Sequence, residues 1–432
     1  MHSKKFNHVR AKRTEKIFYI LSILNLRPAV VHVYIVSMSR NRHKIKEQEL
    51  QGFKYFKAIS NILESLHNAG CQRDRAGNRI LHMDQYVSLL LLYMFNPICT
   101  SLRSLQQASE LKKVQRKLGV PRTSLGSLSE ASTVFNSQRM QEIIEHLNEQ
   151  LSPIAHHNKL NDLPGILTAV DGTLLKDLPK IAWALWIDDE HKAVKNHVHF
   201  EILKAVPVKT VITDGNGNEK DVLAETLEAG RIYVLDRGYA KYGLLQKIIN
   251  NKSSFVCRIR ENYACEVIEE RPVNAEAKAA DVKLDRIVRL GGLSRSDEIN
   301  QAVRIIEIKC NPHVKRAHTG RGGPEQTETI VIATDMLDIE ADVIALIFKH
   351  RWMIETFFNF YKHILGCRHL LSYNQNGIEL QTYAAIIACM LISLWTGRRP
   401  TLRTYEMLCW YFTGMADEEE LLSHISRLQK IA

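Results

Sequence analysis

Cysteine is sparse and unpaired here: eight residues in 432 (Cys71, Cys99, Cys257, Cys265, Cys310, Cys367, Cys389, Cys409), with no C-x-x-C pair. That pattern argues against a disulfide framework or a zinc ribbon, and it fits reduced thiols in a cytoplasmic setting. Long unbroken apolar runs are missing too. The stretch FYILSILNLRPAVVHVYIV (residues 18–36) is interrupted by Arg27-Pro28 and His32, and TYAAIIACMLISLWTG (382–397) is short for a span and suits a buried core helix. No membrane partner is expected. Internal repeats and low-complexity tracts are not evident, and with 45% hydrophobic and 24% charged residues the chain is neither disordered nor fibrous.

What is present is a basic balance, formally +11, but unevenly placed. Residues 1–50 hold eleven Lys/Arg against three Glu, so the remainder is nearly neutral and any nucleic-acid surface must come from local clusters. Residues 1–37 read as a basic, poorly defined N-terminal extension, with Met38 as an alternative working start. Residues 38–160 read as a helical domain, from FKYFKAISNILESL and MDQYVSLLLLYMF onward. Within it, residues 100–137 carry Arg103, Lys112, Lys113, Arg116, Lys117 and Arg122 on short helical pieces. They suit a helix-turn-helix-like DNA module or a solvated helix face equally.

From about residue 161 the texture changes to short β-branched runs: ILTAVDGT (166–173), HVHFEIL (197–203), VKTVITDG (208–215) and RIYVLDRGY (231–239), with helices at 219–229 and 240–250. This alternation predicts an α/β core over 161–253 and 337–400. A β-rich insertion over 254–336 separates its two parts, and helices at 401–432 close the chain.

Three acidic residues carry the chemistry. Asp171 in TAVDGT and Asp236 in YVLDRGY are each expected at a strand end, where a rigid element holds a carboxylate at the sheet's edge; alone, either could be a turn aspartate. Glu355 lies in FKHRWMIETFFNFYK, where ideal helical spacing places Arg351, Glu355 and Lys362 on one stripe while Trp352, Ile354, Phe357, Phe358 and Tyr361 are buried. Taken alone, that stripe could be an i,i+4 ion pair with a solvated lysine.

The ordered set, Asp after a strand, Asp in D-x-G-Y and Glu in R-x3-E-x6-K, resembles the DDE transposases of the insertion sequence 4 family. The resemblance runs from about Gln51 to the C-terminal helices. It implies an RNase H-like core in which Asp171, Asp236 and Glu355 bind two Mg²⁺ ions, for which Mn²⁺ can substitute, and in which Arg351 and Lys362 grip the transposon end. Lys192, Lys195, Arg237 and Tyr239 are further expected DNA contacts. The family signature has Tyr three residues before the Arg, where this chain has Phe348. Some members use a Trp in the insertion to hold a flipped base, but none lies between Asp236 and Arg351, which leaves Tyr263 as the candidate aromatic.

The chemistry is consistent with the residue types, since hard divalent cations prefer carboxylates to His or Cys. Two such ions about 4 Å apart can activate the attacking oxygen and stabilise the leaving one. The expected function is a transposase of a bacterial insertion sequence, cytoplasmic and nucleoid-associated. It would bind terminal inverted repeats as a homodimer on double-stranded DNA, cut them and join 3′ ends to target DNA. A nuclease without strand transfer and a catalytically silent DNA-binding relic are the alternatives. Weaker signals are the acidic cluster Asp188, Asp189 and Glu190, the alternating His197 and His199, and the basic tip with Lys315, Arg316, His318 and Arg321.

Overall fold

The computed structural model describes residues 63–69, 79–154, 158–176, 183–184, 192–291, 299–310, 328–367 and 369–430. All of these belong to a compact unit spanning Gly52–Ala432. The readings made on residues 1–50, on the cluster 188–190 and on the tip 313–326 lie outside the described residues.

Among the described residues, a one-turn helix (Leu66–Ala69) and five longer helices precede the sheet. The apolar α1 (Met83–Phe95) is almost wholly buried. Then come α2 (Leu102–Ser109), α3 (Lys112–Leu118), α4 (Leu125–Val134) and α5 (Arg139–Gln150). Their ends follow local chemistry. The Ser101 and Ser124 hydroxyls accept from the third backbone N–H of α2 and α4, and Gly119 ends α3 with φ of 65°. In α3, Val114 and Leu118 face inward while Lys112, Lys113, Arg116 and Lys117 are exposed, so the basic residues form a solvent-facing stripe.

Among the described residues the sheet has nine strands: β1 (Ile166–Lys176), β2 (Ala193–Glu201), β3 (Val206–Asp214), β4 (Arg231–Leu235), β5 (Ser254–Ile259), β6 (Cys265–Glu270), β7 (Val282–Leu290), β8 (Val303–Cys310) and β9 (Glu328–Thr334). Their spatial order is β3-β2-β1-β4-β5-β9-β8-β7-β6. The first three form an antiparallel meander, while β1, β4 and β5 run parallel, joined through α6 (Glu219–Glu225) and α7 (Tyr242–Asn250). The crossover helices cover one face. Leu223, Leu244, Leu245 and Ile248 pack on Val170, Tyr233, Leu235 and Phe255, and the same apolar cluster runs on through Val303, Ile305, Val331 and Ala333.

Strands β5 to β9 therefore extend the core sheet. β5, at the start of the segment read as an insertion, pairs in parallel with β4, and β9 pairs with β5. The outer strands are tied back by a buried ion pair. Arg304 of β8 donates to both oxygens of Asp285 of β7, at 2.7 Å each, and also to the carbonyls of Leu337 and Ile339, just before the next helix. The edge strand β6 shows mostly exposed residues, including Glu266, Glu269 and Glu270, and such charge discourages edge-to-edge pairing.

After a short helix α8 (Ala275–Ala279) between β6 and β7, the remaining helices are α9 (Ala341–His350), α10 (Met353–Asn359), α11 (Gln375–Thr396), α12 (Leu402–Thr413) and α13 (Glu418–Lys430). α11 passes through the middle of the unit against α1, α4, α5 and β3. By length and composition it could cross a membrane, but 89% of its most apolar window is buried inside the protein, which makes it the core helix its sequence suggested. Cys99, Cys257, Cys265, Cys367, Cys389 and Cys409 are free thiols.

Candidate active site

Register brings the two aspartates together. β1 and β4 pair in parallel from Ile166–Arg231 to Ala169–Val234, and both Asp171 and Asp236 come two residues after that last pair. Neighbouring strands lie about 4.8 Å apart, so equal offsets set the two carboxylates level at the free edge beyond the pairing. Asp236 stands directly after β4, as expected. Asp171 does not end its strand: β1 runs on to Lys176, paired only with β2, because residues 172–176 keep antiparallel partners after β4 has turned away. It is the β4 side of β1 that ends near Asp171.

The third carboxylate arrives from the other end of the sequence. α9 and α10 do not form one regular helix, because i to i+3 hydrogen bonds from Ile354 to Arg351 and from Glu355 to Trp352 tighten the turn between them. Just beyond α10, Phe360–Ile364 widens into a π turn that contains Lys362. The ideal stripe is thus distorted twice. Trp352, expected inside, is 56% exposed, because the tight turn rotates it outward, whereas Ile354, Phe357, Phe358 and Tyr361 are buried.

Arg351 joins the pieces. Its Nη2 donates to Glu355 Oε1 at 2.9 Å, and its Nη1 lies 3.8 Å from Asp171 Oδ2. The guanidinium carbon sits 5.9 Å from the centroid of the Phe348 ring, so the residue at the variant signature position holds the arginine by a cation–π contact. Asp171 Oδ1 accepts from the Gly172 N–H at 2.8 Å. Burial pushes the Asp171 carboxyl up to about 6; the Gly172 N–H and Arg351 oppose the shift, and the negative charges of Glu219 and Glu355 add to it. Among the described residues, no three His, Cys, Asp or Glu side chains form a group ready to hold a metal. The positive charge between Asp171 and Glu355 is Arg351.

The other expected contacts divide by exposure. Arg237 is exposed and Lys362 half-buried. Lys195 is largely covered; its Nζ donates to the Gly217 carbonyl at 2.9 Å and sits 3.5 Å from Glu219 Oε1. Lys192 and Tyr239, expected as DNA contacts, are buried in this structure, at 6% and 1% exposure. The cause at Tyr239 is the 3₁₀ turn Arg237–Tyr239, which exposes Arg237 and folds the tyrosine back into the apolar cluster. His197 and His199 are core histidines. Their Nε2 atoms pair with the hydroxyls of Thr213 and Thr226, and burial lowers them to about 4 and about 3.

Tyr263, between β5 and β6, accepts at its hydroxyl from Arg286, whose guanidinium carbon also sits 5.6 Å from its ring centroid. Sequence reasoning missed Glu219, the first residue of α6, whose carboxylate lies against Gly172. The sequence signal was faint: an acidic residue after the DGNGN turn looks like an ordinary helix start.

The family model described as "Transposase DDE domain" matches residues 163–391, which contain all three carboxylates. A Sinorhizobium fredii protein assigned as transposase y4zB is 31% identical over 205 residues, covering 47% of this chain and 53% of that protein. The transposase assigned to insertion sequence element IS5377 of Geobacillus stearothermophilus is 25% identical, covering 53% and 56%. That assigned to IS4SA of Synechocystis is 23% identical, covering 73% and 82%. The chain thus spans about half the length of the first two relatives. Among solved structures, a piggyBac transposase synaptic complex with hairpin DNA aligns over 89% of this chain and 86% of its own, at 12% identity and a TM-score of 0.37, a likeness too distant to bear on function. With the family model covering more than half of its length, the chain belongs to the transposase DDE domain family.

Proposed function

We propose that this chain is a DNA transposase of an insertion sequence: it binds terminal inverted repeats, cleaves DNA with two divalent metal ions and joins the freed 3′ ends to target DNA. The observation that carries the reading is the convergence of Asp171, Arg351 and Glu355 at the sheet edge where Asp236 stands at equal offset. The strand order β3-β2-β1-β4-β5, with an antiparallel meander leading into parallel strands, supports the RNase H-like core that the family resemblance implies.

The donor set fits Mg²⁺, or Mn²⁺ in its place. All three expected ligands are carboxylates, and near them the buried Tyr239 Oη has no hydrogen-bonding partner. When bound, the ions supply activation of the attacking oxygen and charge stabilisation at the leaving one. Asp171, Asp236 and Glu355 would hold them. Arg351, already bearing on two of the carboxylates, is the counter-charge that keeps the acidic groups together before the ions arrive. With the ions in place its fork is available to a DNA phosphate, alongside Lys362 and the exposed Arg237. The solvent-facing basic stripe of α3 adds sequence-independent backbone contacts. Two transposon ends must be processed together, so the working form is a homodimer on DNA, in the bacterial cytoplasm at the nucleoid.

A strand-transfer assay tests the reading. A duplex of the element's terminal repeat with a free 3′-hydroxyl is incubated with plasmid and Mg²⁺, using wild type and Asp236→Ala. Joined products from wild type alone are expected. Cutting without joining would leave a nuclease, and transfer by the variant would contradict the assignment.

A further inference from the structure

A fourth carboxylate stands beside the expected three. Glu219 opens α6, on the far side of β1 from Arg351, and its side chain lies so close to Gly172 that a Cβ there would come within 2.6 Å of Oε1 and 2.9 Å of Cδ. Glycine at 172 is what admits it. Lys195, reaching across from β2, sits 3.5 Å from the same oxygen and steadies the carboxylate against the strand. The negative charge of Glu219 bears on Asp171, the neighbour of Gly172, and Lys195 and Arg351 offset the two acidic groups.

A separate observation points to a missing ligand. The Tyr239 ring is 1% exposed, yet its hydroxyl has no hydrogen-bond partner. Glu219, Asp171, Arg351 and Asp236 all lie within electrostatic reach of that hydroxyl. Buried hydroxyls are nearly always satisfied. One left open amid carboxylates marks a place where another oxygen or cation completes the network.

We propose that Glu219 is a fourth carboxylate of the divalent-cation site at Asp171 and Asp236, admitted by Gly172 and released from Lys195 when the cation binds. The proposal rests on the metal-dependent reading given above. In the cation-free protein Lys195 holds the place of the positive charge at Glu219, as Arg351 does between Asp171 and Glu355. The Tyr239 hydroxyl then has an oxygen of the occupied site as its acceptor.

Direct titration of the full-length chain with Mn²⁺, following free Mn²⁺ by electron paramagnetic resonance, tests it without any activity readout. Asp171→Asn and Glu219→Gln should each weaken binding about tenfold or more, the range typical of groups that support a metal site. Glu219→Asp should fall between them and wild type. Gly172→Ala should behave like Glu219→Gln, because its methyl group displaces a flexible carboxylate rather than backbone. Glu225→Gln, at the other end of α6, serves as the control and should bind as wild type, with circular dichroism melts verifying that each variant is folded. Weakened binding in Asp171→Asn with unchanged binding in Glu219→Gln and Gly172→Ala overturns the proposal and leaves the expected triad intact. Equal binding by wild type and Asp171→Asn overturns the cation reading itself, and this inference with it.

Discussion

Asp171 shows how a single side chain can be costly to the fold and still be kept. Its carboxyl is raised to about 6 from the ordinary 3.8, chiefly by burial. The folded protein therefore holds an extra proton relative to the unfolded chain between about pH 4 and pH 6, and stability falls as pH rises through that window. By neutral pH the full penalty is present, on the order of 2–3 kcal/mol. Asp171→Asn keeps the shape and removes the charge. It should raise the melting temperature of the protein in EDTA at pH 7.5 by a few degrees, with the gain shrinking toward pH 4, as thermal melts at the two pH values would reveal. Legibility differs sharply at this scale. Asp171, Asp236 and Glu355 stood out because strand texture and motif order surrounded them, whereas Glu219 is one acidic residue among 47 and becomes conspicuous only when Gly172 is seen beneath it.

Among the secondary-structure elements, register does most of the positioning. The parallel pairing that ends at Ala169–Val234 sets both aspartates level, and β-branched runs with turn residues were enough to locate β1 to β4 in the sequence. The segment FKHRWMIETFFNFYK was harder. It contains neither Pro nor Gly, so an ideal helical projection treats it as uniform, yet a tight turn at Arg351–Trp352 and a π turn at Phe360–Ile364 alter its winding. Those departures depend on what the helix packs against, which no local pattern encodes. Within the segment read only as β-rich, β6 has no distinct mark of its own, because its mostly exposed, acid-rich residues lack the apolar alternation of a buried strand.

The outer strands depend on the buried Arg304–Asp285 pair, 3% and 4% exposed. Asp285→Ala leaves that arginine uncompensated in the interior and should cost about 3–5 kcal/mol. Chemical denaturation should register the loss, with faster amide exchange in β7 and β8 than in β1 and β4. A loss below about 1 kcal/mol, the worth of a surface pair, would mean that the backbone carbonyls of Leu337 and Ile339 alone hold the arginine.

At the scale of the sheet, one set of strands carries both the candidate site and the outer strands, so the segment read as an insertion shares its hydrophobic core with the strands that bear Asp171 and Asp236. The sequence showed where β-rich texture began and ended, but it could not show that β5 and β9 close ranks beside β4, since pairing partners far apart in the chain leave no local mark. The exposed stripe of α3 supplies a molecular-scale prediction about DNA. Lys112→Ala with Arg116→Ala should weaken binding of all duplexes alike and reduce the slope of log affinity against log salt by about 2, measured by fluorescence anisotropy across a salt series.

The central claim, that three carboxylates from well-separated parts of the sequence form one metal-dependent cutting site, is tested most directly by cleavage of a labelled duplex carrying the element's terminal repeat. Wild type and Glu355→Ala are compared in Mg²⁺ and in EDTA. Nicking at the repeat's end by wild type in Mg²⁺, abolished by EDTA and absent in the variant although it still binds the duplex, is the predicted result. Cleavage that persists in Glu355→Ala, or that is indifferent to EDTA, would contradict it.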